Sequence, residues 1–282
     1  MSIWKKVRLM SRLFLIRSFS SSILAILSNS KITWLKNFLI KRFIKKYKID
    51  LSRLENADIK SYPNFNSFFI RKIKQNVMGK SADSEIGSPA EALVREHGMV
   101  NNNTMLQAKG IKYSLSDLLF YQKYYVDKFK NGSYLTLHLR PFHYHRYHMP
   151  FSGKLELSLY IPHYNAFELD PDTESIVPNL YCNNERYILF FDTALGKMAI
   201  VLVGSIYIGG IQPVWRSKPI KSKKIKRDIH KNIALKKGEE LGCFKYGSGI
   251  ILLFEPDSIS WKKELRKGKE IMVNSAIADL IK

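Results

Sequence analysis

The sequence is poor in cysteine and in acidic residues. Only two cysteines, Cys182 and Cys243, occur among 282 residues, too few for a disulfide framework or a zinc ribbon. We therefore expect reduced thiols in a protein that faces the cytosol. Lys and Arg number 46 against 24 Asp and Glu, which gives a formal net charge of +22. Because 45% of the residues are hydrophobic and 12% aromatic, the chain is globular and not a disordered basic tail.

Long apolar runs are also absent. The longest uncharged run covers residues 198–215, and its apolar part stops near Ile211, before Gln212 and Pro213. A membrane-spanning helix needs about 20 consecutive apolar residues. This Val-, Ile- and Gly-rich run therefore predicts buried strands instead of a transmembrane helix.

The positive charge is concentrated in two segments. Residues 1–50 hold twelve Lys and Arg and one acidic residue, and residues 216–231 hold eight and one. The rest of the chain is close to neutral. A nucleic-acid-binding protein often spreads its basic residues over a face of the folded domain. A near-neutral body with two basic segments instead favours contact with an anionic membrane leaflet.

Residues 33–48 have the clearest helical pattern. Large apolar residues recur at three- and four-residue steps, and lysines and an arginine fill the gaps. The apolar positions are Trp34, Leu35, Phe38, Leu39, Phe43, Ile44 and Tyr47. This pattern predicts an amphipathic helix that lies in the lipid headgroup plane. An ordinary surface helix docked on the protein body is the alternative.

Beyond residue 85, short apolar runs alternate with turn residues and predict strands. The runs are 134–139, 154–161, 187–191, 198–211 and 249–254. Alternation of Leu135, Leu137 and Leu139 with polar residues predicts a half-buried strand, and Ser114 is the expected N-cap of a short helix over 114–120. The predicted fold class is α+β, with a mostly antiparallel β body (residues 61–282) after a helical, membrane-associating region (residues 1–60).

Three short segments carry the candidate chemistry. The segment HYHRYH places His143, His145 and His148 within six residues. Imidazoles suit zinc and acid–base catalysis near neutrality, and a structural role is the third interpretation. In KYGSGIILLF, Ser248 stands between two glycines, either in a plain hairpin turn or in a strained turn that presents its hydroxyl to the preceding carbonyl. In GSPAEALV, Glu91 is a solvated residue or a carboxylate at a strand entry.

These three segments, together with several others, occur in an order and spacing that resemble the phosphatidylserine decarboxylase family in its longer bacterial type. The resemblance extends from about residue 35 to the end of the chain. The other matching segments are NFNSFFIRKIK (64–74), LQAKGIKYSLSDLL (106–119), PNLYCNNER (178–186), FDTALGKMAIVLVGSIYIGGI (191–211) and KKGEELGCFKYGSG (236–249). The ordered set is far more specific than any one segment.

The resemblance implies a self-processing enzyme that converts phosphatidylserine to phosphatidylethanolamine. The chain would cleave itself between Gly247 and Ser248, into residues 1–247 and 248–282, and Ser248 would become a covalent pyruvoyl group that forms a Schiff base with the substrate. By the same resemblance, His148 is the base for the Ser248 hydroxyl, Glu91 is the carboxylate that orients it, and His145 serves decarboxylation. No metal ion is implied.

The implied partners are the phosphatidylserine substrate, an anionic membrane surface at the cytoplasmic face of the cell membrane, the association of the two cleaved chains, and a homo-oligomer. Nucleic acid is not expected. The sequence departs from the family pattern at three places. Glu91 and Ala92 replace Asp-Gly, His143 replaces a frequent Asp, and Gly249 replaces Thr or Ser. A processing-dead relative that only binds anionic phospholipid is therefore a second hypothesis.

Overall fold

A computed structural model describes residues 26–281, except for 109–110, 164–166, 206–209 and 246–247. The helices are α1 (Thr33–Tyr47), α2 (Phe65–Phe69), α3 (Leu115–Leu118), α4 (Lys123–Phe129), α5 (Pro171–Glu174) and α6 (Leu180–Asn183), with short 3-10 helices at Leu51–Arg53 and Gln75–Val77. The Ser114 side chain accepts from the Asp117 backbone N–H at 3.3 Å, so the predicted N-cap of α3 is confirmed.

Seventeen strands are named among the described residues, and they make up most of the body. They are β1 (Glu85–Gly87), β2 (Ala92–Met99), β3 (Thr104–Ala108), β4 (Ile111–Ser114), β5 (Ser133–Leu139), β6 (Arg146–His148), β7 (Gly153–Ile161), β8 (Arg186–Thr193), β9 (Gly196–Gly204), β10 (Ile211–Pro213), β11 (Lys226–Ile229), β12 (Ala234–Leu235), β13 (Glu240–Phe244), β14 (Ser248–Phe254), β15 (Ile259–Trp261), β16 (Glu270–Ile271) and β17 (Ala276–Leu280). All pair antiparallel, which confirms the α+β class and the predicted strand runs, except that residues 206–209 of the run 198–211 lie outside the described residues.

A nine-stranded sheet forms the centre of the body, in the order β11-β7-β8-β9-β14-β5-β2-β16 with β12 beside β7. An apolar cluster packs on each face of this sheet. The expectation that β5 is half-buried is therefore confirmed only in part, since His138 stays partly exposed. Leu135, Leu137 and Leu139 are buried on one face, but Thr136 is only 1% exposed on the other face, because the second cluster covers it.

Three smaller sheets surround the central one: β1-β17-β15, β10-β13-β6 and the hairpin β3-β4. The C-terminal segment contributes to several layers. Strand β14 lies between β9 and β5, β16 pairs with β2, and β15 and β17 continue the sheet that begins at β1. Residues after 247 are thus integral to the body of the fold.

Helix α1 docks on the body through one side. Phe43 is 9% exposed, and its ring lies 5.3 Å from Phe65 and 6.1 Å from Phe69 between centroids. The buried Lys36 ammonium donates to the carbonyls of Lys60 and Tyr62 at 2.6 Å each. Part of the predicted lipid-facing stripe is therefore used for packing against the protein.

Other apolar side chains of this region stay exposed. Trp34 is 71% exposed, Phe38 54% and Ile32 53%. The docked-helix alternative thus holds for the Phe43 side of α1, and membrane association of the N-terminal region stays a prediction. The expectations for residues 1–25 lie outside the described residues, and the domain boundary at residue 60 also stays a prediction.

The basic segment 216–231 is not wholly a loop. Residues Lys226–Ile229 form β11, an edge strand of the central sheet whose four residues are all exposed. Ile229 is 67% exposed and Ile225 42%, so this basic edge also presents aliphatic side chains. Among the helices that the structure describes, none is long and apolar enough to cross a membrane.

Replacement of Phe43 by Ala should lower the free energy of unfolding by about 3 kcal/mol, because it leaves a cavity among the aromatic rings that hold α1. Phe38→Ala is the matched control on the same helix, since its ring is mostly exposed, and should change stability by less than about 0.5 kcal/mol. Denaturant unfolding measures both. Equal losses in the two variants would contradict the docking of α1 through Phe43.

Candidate active site

Ser248 begins the central strand β14. It pairs with Leu139 of β5 and Gly204 of β9. The residue is fully buried, and its hydroxyl makes no hydrogen bond to any residue that the structure describes. A buried hydroxyl without a partner costs free energy, so Ser248 is a candidate functional residue. Gly247, the other residue of the predicted cleavage site, lies outside the described residues.

Gly204 lets a carboxylate come close to the sheet beside Ser248. A Cβ at this position would stand 2.9 Å from Glu185 Oε2. Glu185 is 1% exposed and accepts from the Tyr160 hydroxyl at 2.6 Å. The neighbouring Asn184 donates to the Gly204 carbonyl at 2.9 Å. Opposite residues of an antiparallel pair point to the same face, so this carboxylate lies on the face to which the Ser248 side chain points.

Gly249 also fits its surroundings without a side chain. A Cβ there would lie 3.2 Å from both the Leu137 carbonyl oxygen and Leu169 Cδ1. These contacts are tighter than ordinary van der Waals packing, so a Thr or Ser at this place would need a neighbour to move. Gly249, which departs from the family pattern, therefore leaves space that Leu169 occupies.

His148 is held by two hydrogen bonds. Its Nδ1 lies 2.8 Å from the Gly238 carbonyl oxygen, and its Nε2 lies 3.0 Å from the Tyr144 hydroxyl. A carbonyl only accepts, so Nδ1 carries the proton. Burial lowers the pKa of His148, although the Gly238 bond opposes this. The ring is then neutral near pH 7, and its Nε2 lone pair accepts from the Tyr144 hydroxyl.

The Glu91 carboxylate is bound by an arginine and not by His148. Arg53, in the 3-10 helix after α1, binds its carboxylate through two hydrogen bonds of 2.8 and 3.2 Å. The pair lines a cavity of about 120 Å³ together with Arg71, Phe142 and Tyr144. No hydrogen bond joins Glu91 to His148 among the described residues, so the predicted orienting role of Glu91 stays a prediction.

His145 lies fully buried against Phe69. Their ring centroids are 4.0 Å apart and nearly parallel. The Nε2 of His145 lies 3.3 Å from the Pro141 carbonyl oxygen, and its Nδ1 makes no hydrogen bond to any described residue. Burial lowers the pKa of His145 well below its usual value, and the charge of the nearby Arg71 adds to this effect. His145 is therefore a neutral imidazole with an unused, buried lone pair on Nδ1.

Arg71 supports the backbone before His145. It is 4% exposed and donates to the carbonyls of Phe142 at 2.7 Å and His143 at 3.3 Å. Burial lowers its pKa to about 10, which leaves it charged at neutral pH. The family-like Asn66–Arg71 segment thus supplies Phe69 and Arg71 to the surroundings of His145.

The structure brings His148 together with Tyr144 and Gly238, and His145 together with Phe69. It does not join Glu91, His148 and Ser248 by hydrogen bonds. Sequence reasoning missed the partners of these residues, because Arg53 and Gly238 lie far away in the chain. Tyr144, in contrast, lies within the histidine segment itself, four residues before His148. The described residues contain no group of three His, Cys, Asp or Glu side chains arranged to hold a metal ion.

Comparison with known proteins gives a consistent result. Residues 65–279 match the sequence model of the phosphatidylserine decarboxylase family. The chain is 37% identical over 263 residues to a phosphatidylserine decarboxylase proenzyme of Alcanivorax borkumensis, covering 91% of this chain and 90% of the relative. A phosphatidylserine decarboxylase proenzyme of Vibrio vulnificus is 37% identical, over 89% of this chain and 91% of the relative. One of Legionella pneumophila is 38% identical, over 86% of this chain and 87% of the relative.

The half-buried His138 provides a pH-dependent prediction. It pairs with Gly249 across the sheet, and its Nδ1 makes no hydrogen bond to a described residue. Burial, with Arg95 and His143 nearby, lowers its pKa from 6.5 to about 3. The unfolded chain therefore binds a proton that the folded chain takes up only at much lower pH.

The stability contributed by neutral His138 should be present above pH 6.5 and be lost as the pH falls towards 3. His138→Gln should thus give a shallower decline of the unfolding free energy between these limits than the unaltered chain, as measured by denaturant titrations at several pH values. Parallel declines in both proteins would show that His138 does not titrate as the structure implies.

Proposed function

Because the chain belongs to the phosphatidylserine decarboxylase family, we propose that it removes the carboxyl group of phosphatidylserine to give phosphatidylethanolamine, and that it first cleaves itself between Gly247 and Ser248. The observation that carries the proposal is the buried hydroxyl of Ser248 at the start of a central strand, which has no hydrogen-bond partner among the described residues. This hydroxyl is the group that would attack the Gly247 carbonyl during self-cleavage.

Self-cleavage needs a hydroxyl nucleophile beside a peptide carbonyl. The Ser248 oxygen attacks the Gly247 carbonyl carbon, the peptide C–N bond breaks, and an ester takes its place. Loss of the α proton of Ser248 then breaks its Cβ–O bond and frees the Gly247 carboxylate. Water converts the remaining dehydroalanine to a pyruvoyl group with release of ammonia. A pyruvoyl carbonyl supplies the electron sink that decarboxylation needs.

We assign the base to His148. Serine is a weak nucleophile until a neighbouring base takes its proton, and a neutral imidazole suits that task. The Gly238 carbonyl fixes the tautomer of His148 so that Nε2 holds the lone pair. In the uncleaved chain Tyr144 donates to that lone pair, so His148 must exchange this partner before it accepts a proton from Ser248.

We retain Glu91 as the carboxylate that orients His148, because it stands where the family pattern has its carboxylate. This role requires Glu91 to leave Arg53 and the His148 Nδ1–H to leave Gly238. Arg53 is 33% exposed and Glu91 14%, so solvent reaches the ion pair that this exchange would break.

We assign the decarboxylation half to His145. Its Nδ1 lone pair is buried and makes no hydrogen bond within the part of the chain that the structure describes, and Phe69 packs against the face of its ring. Such a nitrogen accepts a hydrogen bond from substrate or holds the proton that replaces the lost carboxyl group. Exclusion of water by burial strengthens either interaction.

We also propose that the protein binds peripherally to anionic membranes through the exposed apolar side chains near α1. Trp34, Phe38 and Ile32 are exposed beside basic residues of the same region, which suits insertion at the headgroup boundary. The exposed Ile225 and Ile229 of the basic edge provide a second contact. The membrane holds the anionic substrate, so the same charge would serve anchoring and substrate supply.

Intact-mass analysis tests the self-cleavage. The unaltered chain should give two chains that correspond to residues 1–247 and 248–282, the smaller one lacking the N-terminal amine of serine. Ser248→Ala should remain a single chain of 32.8 kDa, because it has no hydroxyl to attack Gly247. Thr193→Val, which removes another strand hydroxyl, is the control and should cleave normally.

Two outcomes contradict parts of this proposal. An unaltered chain that stays at full length and binds anionic lipid without releasing carbon dioxide would support the processing-dead alternative. Normal cleavage of Glu91→Ala would show that Glu91 does not orient His148. It would not contradict the proposed decarboxylation.

Loss of both exposed aromatic side chains in Trp34→Ala/Phe38→Ala should weaken binding to phosphatidylglycerol vesicles by at least about tenfold, because each large apolar side chain contributes about 1.5–3 kcal/mol on burial. Tyr124→Ala, which removes another exposed aromatic residue, is the matched control. Vesicle co-sedimentation measures the binding. Unchanged binding of the double variant would exclude this surface as the membrane contact.

A further inference from the structure

His143 connects the turn before His145 to the C-terminal segment. Its Nδ1 accepts from the Arg140 backbone N–H at 3.0 Å, so this nitrogen carries no proton. The other nitrogen, Nε2, lies 2.6 Å from Glu270 Oε2 and therefore donates to that carboxylate. Burial keeps His143 neutral by lowering its pKa to about 4, which agrees with this tautomer.

The same carboxylate also binds Arg140. The Arg140 guanidinium donates to Glu270 Oε1 at 2.9 Å, and the His143 backbone N–H donates to the Arg140 carbonyl at 3.0 Å. Residues 140–143 thus form a closed turn with Glu270 attached to two of its members. Glu270 is 46% exposed, but its partner His143 is only 2% exposed, so the hydrogen bond reaches into the buried site.

This arrangement accounts for a departure from the family pattern. An Asp at position 143 has an oxygen that can accept the Arg140 N–H and a negative charge beside Arg140. His143 keeps the acceptor through Nδ1, and its Nε2–H recruits a carboxylate from elsewhere. The negative charge that the substitution removes from the turn is thereby supplied by Glu270.

We propose that His143 and Glu270 together replace the family's Asp, and that Glu270 is a positioning residue for His145. The link runs through the turn, because the Pro141 carbonyl within it lies 3.3 Å from His145 Nε2. Arg71 holds the other side of the same turn through the carbonyls of Phe142 and His143. Glu270 therefore helps to fix the turn whose Pro141 carbonyl orients the His145 ring.

The inference rests on the proposed function, since that function gives His145 its task. Cleavage after Gly247 would place Glu270 on the short chain and His143 on the long chain. Their hydrogen bond then becomes a contact between the two chains. The short chain carries the reactive group. The His143–Glu270 hydrogen bond would therefore link the correct position of the short chain to the orientation of the His145 ring.

The test is a rescue experiment on the full-length protein. Glu270→Ala should cleave itself normally but lower kcat for phosphatidylserine about tenfold, with little change in KM, a size typical of coupling between contacting residues. His143→Asp in the Glu270→Ala background should restore most of kcat, because the carboxylate returns to the turn itself. His143→Asp alone should be less active than the double variant, since two carboxylates then face each other.

Lys267→Ala is the matched control. Lys267 lies three residues from Glu270 and pairs with Glu96 of the long chain at 2.9 Å, but it does not touch the turn. This variant should keep kcat. Full activity of Glu270→Ala, or failure of His143→Asp to rescue it, would overturn the inference. An unaltered chain that neither cleaves nor releases carbon dioxide would instead contradict the proposed function, so the two failures are distinguishable.

Discussion

The complete burial of β14 is the constraint on which the rest of the structure depends. Both edges of this strand are hydrogen-bonded, to β5 and to β9, and both faces are covered by apolar clusters. Ser248 stands at its first position, where water cannot satisfy the hydroxyl. The fold therefore holds the Ser248 hydroxyl in a fixed position away from solvent and keeps the residues that follow it bound to the body. A cut before Ser248 would leave the strand in place, because its hydrogen bonds do not depend on the peptide bond at 247–248.

Burial also governs the histidines. His143, His145 and His148 are each 5% exposed or less, and desolvation lowers the pKa of all three. Because they are neutral, each ring has one donor and one acceptor, and its neighbours fix which nitrogen is which. His148 presents Nε2 to Tyr144, His143 presents Nε2–H to Glu270, and His145 keeps Nδ1 unused. The three imidazoles are thereby distinguished by the nearby Pro141 carbonyl and by the Gly238 carbonyl and Glu270 carboxylate from distant parts of the chain.

Much of the fold could be predicted from the sequence, because its signals are local. The alternation in 134–139, the capping serine at 114 and the helical spacing in 33–48 each reflect a short-range period or cap. The burial of Thr136 could not be predicted in the same way, since it depends on which cluster covers the second face of the sheet. The candidate residues could be named from ordered motifs, but their partners could not. Arg53, Gly238 and Glu270 meet the site only through tertiary packing, and no local pattern marks them.

The proposal that a group derived from Ser248 decarboxylates phosphatidylserine can be tested on the purified protein. Its most direct test is the release of labelled carbon dioxide from phosphatidylserine labelled in the serine carboxyl group, with and without prior treatment of the protein with borohydride. We expect release by the untreated protein and loss of release after reduction of the carbonyl. Absence of release by cleaved protein, or release that borohydride does not diminish, would contradict it.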